Sequence, residues 1–227
     1  GPMNFARKVQ VLLWKEVKSE MRAKEMLSAM LVFSLLVVVT FGFTLPSDKD
    51  LIKQVFPGIL WVTLTFAGIL GLNRSFTSER QNDCIHGLML CPVDRSAIYF
   101  SKTIMNLLLM AIVELISVPL FFIMFNFKAP ENLTMLIFTL FLGTYCFMTV
   151  GTFLSAMSAS TRSSEVLLPI LTIPMIVPVL ISSVQVTRII FDGNGLAEMG
   201  LFLKLLGTYA VVFTALPVLL FDYLLEV

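Results

Sequence analysis

"LSAMLVFSLLVVVTFGFTL", residues 27 to 45, runs its whole length without one charged side chain. Wound as a helix, about 20 apolar residues match the hydrocarbon thickness of a bilayer. The residues before it carry Arg7, Lys8, Lys15, Glu16, Lys18, Glu20, Arg22, Lys24 and Glu25. A signal peptide would have its apolar core close behind a short basic start, so this stretch reads as a retained transmembrane helix.

Working outward, five more segments reach spanning length, at roughly 55–72, 103–125, 133–157, 166–186 and 201–224. Hydrophobic residues make up 57% of the chain, charged residues 14%, and mean hydropathy is +0.91. Soluble domains lie nearer half apolar and a quarter charged. The expected fold is an all-α membrane protein with six transmembrane helices in one domain, residues 27–227. Residues 3–26 form an N-terminal amphipathic helix, and a cytosolic coupling segment, 73–102, separates spans two and three. Gly1-Pro2 before Met3 reads as a cloning scar and is set aside.

Lys and Arg counting sets orientation. With the N-terminus inside, eleven fall on inner segments, and five (Lys49, Lys53, Lys128, Arg188, Lys204) on outer ones. Both termini are therefore expected in the cytosol. Within 3–26, Lys8, Lys15, Lys18 and Arg22 share one face and Phe5, Val9, Leu12, Leu13 and Val17 the other, with Glu16 and Glu20 interrupting the apolar side. This suits a helix lying on the inner leaflet, its basic side toward membrane lipid phosphates. The competing reading is a solvated extension of the first span.

Net charge is +1, which gives no basic bias toward nucleic acid. There is no G-x-x-x-x-G-K-[ST] phosphate loop, G-x-S-x-G elbow or H-E-x-x-H pair, and His86 is the only histidine. Catalysis is not expected in this chain. Cys84, His86 and Cys91 form C-x-H-x₄-C, which matches no common zinc pattern, so no metal site is expected.

Three features inside the spans carry open alternatives. Glu114 is a carboxyl deep in the third span. It is either functional or an acid hydrogen-bonded to a neighbouring helix, and in either case it is expected to be uncharged and to face other helices. Pro169, Pro174 and Pro178 in the fifth span argue for a bent or broken helix, as a packing device or as part of a path. Gly151, Ser155 and Ala159, at intervals of four, allow close approach of another helix of this chain or of a second subunit.

The polar insert has a physical reading of its own. Ser78 and Gln81 fit a capping box that would start a short helix. Ile85, Leu88 and Met89 supply an apolar stripe, Glu79, Arg80 and Asp83 a polar rim, and Pro92 a stop. The stripe is too short to serve a bilayer but suits a groove on a partner. A helix merely resting on the membrane is the alternative.

The order "PGILWV" (57–62), "LNRSF" (72–76), "LMLCP" (88–92), Lys102, "LGT" (142–144) and "LPILTIP" (168–174) resembles the CcmB family over nearly the whole chain. These are permeases of haem-exporter-type ABC transporters in cytochrome c maturation. The resemblance implies a separate ATPase (CcmA-like) and CcmC-like, CcmD-like and CcmE-like partners in a bacterial inner membrane. It implies ATP-driven release of the haem-loaded chaperone, or haem handling at the outer face, with no cofactor resident in this chain. A second copy of the chain is a further candidate partner. The chain departs from the family pattern in two places: an acidic residue is usual where Asn73 stands, and an acid-glycine pair where Asn82 and Asp83 stand. The alternative is an ABC exporter of a lipid, glycan or drug.

Overall fold

The computed structural model describes residues 4–81, 95–158, 164–193 and 195–224. Among these residues there are seven helices and no strand: α1 (Phe5–Ala23), α2 (Glu25–Thr44), α3 (Lys49–Gln81), α4 (Arg95–Met124), α5 (Leu133–Ser158), α6 (Ser164–Asp192) and α7 (Leu196–Leu224). The six from α2 to α7 are each long and apolar enough to cross a bilayer. Large side chains such as Val32, Leu115, Ile123, Phe141, Val211 and Leu219 stand exposed on their outer faces. Water would penalise such a surface heavily, whereas lipid accepts it.

α3 is the most enclosed span and touches α2, α4, α5 and α6. Phe56, Leu60 and Leu64, one turn apart, and the neighbouring Trp61 are buried on it. Glycines set how closely α5 approaches. A Cβ at Gly68 would stand 2.6 Å from the Phe147 ring, and one at Gly151 would collide with the Leu72 side chain. Ser155 Oγ donates to Leu72 O at 3.5 Å. The small-residue pattern at 151 and 155 is thus used within the chain, against α3. Ala159 lies outside the described residues.

Two boundary expectations need correction. The second span does end at Leu72, but its helix does not stop there and continues to Gln81. Ser78 is therefore an interior residue and not an N-cap, because the polar run from 73 to 81 extends a helix already nucleated in the span. Likewise α6 is not broken: one helix carries Pro169, Pro174 and Pro178. Each proline leaves the carbonyl four residues earlier without its usual donor. Tyr209 OH of α7 donates to Met175 O at 3.1 Å, supplying an external hydrogen bond in the loosened stretch.

α1 turns into α2 at Lys24, whose φ of 54° is left-handed. Glu20 holds this corner from both sides. Its carbonyl accepts from Lys24 N at 2.7 Å, and its Oε1 accepts from Leu27 N at 2.9 Å. The second bond caps a first-turn amide that α2 leaves unpartnered. Val9, Leu12, Leu13 and Val17 are half-buried, and α1 packs on α4. Part of the apolar face is thus covered by protein, with Leu13 and Val17 packed against the core while Phe5 stays exposed. Val11, Trp14, Lys15 and Lys18 stay exposed, with Lys18 Nζ 5.4 Å from the Trp14 ring centre.

Candidate functional site

The sequence motifs converge on a polar layer inside the bundle. Trp61 Nε1 donates to Thr187 Oγ1 of α6 at 2.8 Å, and that hydroxyl donates onward to Ser183 O at 2.7 Å. The indole has room because residue 143 of α5 is glycine. A Cβ there would stand 2.5 Å from Trp61 Cη2 and 2.6 Å from Ser183 Oγ. One residue on, Thr144 Oγ1 donates to Glu114 Oε1 of α4. "PGILWV" and "LGT" therefore meet through Trp61 and Gly143. "LPILTIP" lies farther along α6, with Leu168 and Thr172 buried.

Glu114 does have a helix partner, as its residue type demanded. A second rung follows on the same two helices: Asn106 Nδ2 donates to Thr152 Oγ1 at 3.2 Å. The two pairs are eight residues apart on both α4 and α5, which is the signature of antiparallel neighbours in fixed register. Asn106 was not singled out from sequence. Its spacing from Glu114, just over two turns, was the available signal.

Glu114→Gln is expected to leave assembly and activity largely intact, because the amide oxygen can still accept from Thr144. Glu114→Leu strands that hydroxyl and should cost on the order of 1 kcal/mol. Melting of the detergent-purified protein, read beside activity, checks both. Lost activity with Gln in an intact assembly would point instead to a charge-dependent role.

At one end of the bundle α1 is bolted to α4. Lys102 Nζ lies 2.6 Å from Glu16 Oε1, with side chains 5% and 16% exposed. Phe5 meets the Phe100 ring edge-on at 5.9 Å. Glu16 looked like a flaw in an apolar face; in the fold it is the anion for a buried lysine inside α4. At the other end five phenylalanines, 121, 122, 125, 127 and 191, pack around buried Phe56 with centroids 4.9–6.0 Å away. A cleft of about 960 Å³ opens beside them. Phe125, Phe127 and Phe191 line its apolar side, and its charged residues are Lys49, Lys53 and Lys128 together with Asp50, Glu131 and Asp192, a surface suited to an amphipathic body.

Glu79 and Arg80 fall in the last turn of α3. Asp83, Ile85, Leu88 and Met89, the rest of the expected coupling element, lie outside the described residues, as do Cys84, His86 and Cys91.

The family described as CcmB protein matches residues 7–222. Heme exporter protein B of Rhodobacter capsulatus is 26% identical over 79% of this chain and 82% of its own. The Pseudomonas aeruginosa protein of the same name is 26% identical, over 75% and 76%. That of Escherichia coli K12 is 27% identical over a shorter region, 40% and 44%.

Proposed function

Because this chain belongs to the CcmB family, we propose that it is the permease subunit of an ABC-type transporter that handles haem for cytochrome c maturation. The family match carries this reading, since it spans all six membrane helices. The chain has no phosphate loop, so ATP hydrolysis belongs to a separate subunit. In this reading hydrolysis is coupled, through the segment after α3, to release of the haem-loaded chaperone or to haem handling at the outer face. The cleft with the phenylalanine wall and lysines is the surface assigned to that outer role.

The basic-residue count supports cytosolic termini, in the bacterial inner membrane that the family reading implies, and hence a cleft on the outer side. A cysteine engineered at Lys49 should react with an impermeant reagent in intact cells, and one at Asp83 should not. Labelling at Asp83 in sealed cells would reverse the orientation and every role assigned to an end.

The coupling role is tested by Leu88→Asp with Met89→Asp. The double variant should insert normally yet lose the copurifying ATPase, or uncouple its hydrolysis, and mature cytochrome c should fall with it. Copurification in mild detergent followed by mass spectrometry reads the first effect, and haem staining of periplasmic cytochromes the second. Unchanged copurification and cytochrome yield would discard the coupling assignment. A partner set without haem-handling proteins would favour export of a lipid, glycan or drug.

A further inference from the structure

Glu114 is only partly covered by its own chain. Thr144 serves Oε1, while Oε2 receives no hydrogen bond from the described residues. Around it α4 presents an exposed apolar strip, with Ile104, Leu108, Ala111 and Leu115 at alternating steps of four and three. Leu115, next to the acid, is 75% exposed.

Lipid chains offer no hydrogen bond, and a carboxyl oxygen facing hydrocarbon costs free energy that ordinary packing does not recover. The four-three spacing is that of a seam along which a second helix lies. We propose that this strip is an intramembrane docking surface for a helix of another membrane protein. That helix presents a side-chain amide or hydroxyl to Glu114 Oε2. Such a group both donates and accepts, so it completes the carboxyl whichever its state.

A second copy of this chain fits the strip poorly. Two copies share one orientation in the bilayer, so they would pair in parallel. In that geometry a residue flanking the seam faces the position five residues on in its mate. Glu114 would then face Pro119, which offers no hydrogen bond. The inference rests on the membrane-spanning fold and not on what the transporter carries.

The test places a photo-crosslinking amino acid at Leu115 in the full-length chain, in native membranes with its complex intact. Irradiation should give an adduct with a different membrane protein. The joined peptide should map to a transmembrane segment with Ser, Thr, Asn or Gln within one turn of the crosslink. Normalised to chain recovered from the membrane, Glu114→Leu should cut adduct yield about tenfold, and Glu114→Gln should preserve it. The same probe at Ile170 of α6, also exposed, should not give this adduct. Self-adducts alone, no protein adduct at Leu115, or a partner segment lacking such a side chain would overturn the proposal. So would a yield indifferent to Glu114→Leu. If the leucine variant fails to accumulate, the mapped adduct of the chain with Glu114 intact decides the matter.

Discussion

Lys102→Ala is expected to lower the stability of the purified protein by up to about 3–5 kcal/mol, the cost of removing the cation from a buried ion pair. Glu16 then keeps its carboxylate against α4 without the ammonium 2.6 Å away. Melting in detergent should fall, and α1 should become open to limited proteolysis near Lys15 while the six spans remain protected. The charge-free pair Glu16→Leu with Lys102→Met should recover most of the loss, because well-packed apolar side chains replace buried ions at little cost. Equal melting of Lys102→Ala and the unsubstituted chain would show that the pair does not hold α1.

Gly143→Ala should have the next largest effect, a loss of about 2–3 kcal/mol from a single added methyl group. The new Cβ would stand 2.5 Å from one ring atom of Trp61 and 2.8 Å from another. The indole cannot swing aside cheaply: it is 1% exposed and tied to Thr187. Trp61→Phe removes the colliding part of the ring, so the double variant should lose less than the sum of the two single losses. That non-additivity, read from melting curves, is the check. Simple addition would mean that the glycine and the tryptophan do not share one space.

The six spans were legible because an apolar run of bilayer length has few other readings. The end of α3 was not. Apolar length reports how much of a helix lies in lipid and is blind to a helix that continues into water, as this one does through Asn73–Gln81. Glu114 could be singled out because an acid in hydrocarbon demands a partner, but Thr144 could not be named from sequence. Glu16 and Glu20 were misjudged as blemishes for a related reason. One answers a lysine far along the chain and the other caps the next helix, and neither relation leaves a local periodic trace. The close approach implied by Gly151 and Ser155 was readable, whereas its destination at Leu72 required the fold. Three prolines suggested a bend or a break in α6, and of these the break is excluded because the element stays whole, with a tyrosine hydroxyl from α7 joining its backbone bonding.

The continuity of α3 has a mechanical consequence. Thirty-three residues make a rod about 50 Å long, well beyond the roughly 30 Å of hydrocarbon it crosses. An α-helix bends far more readily than it shortens. Thrust applied at the Gln81 tip therefore travels as tilt or axial slip, with leverage across the membrane. The far bearing of this lever is Phe56, seated among five other rings beside the cleft. Work done at one face of the bilayer would thus reach the other along one continuous helix, without any substance having to cross between the helices.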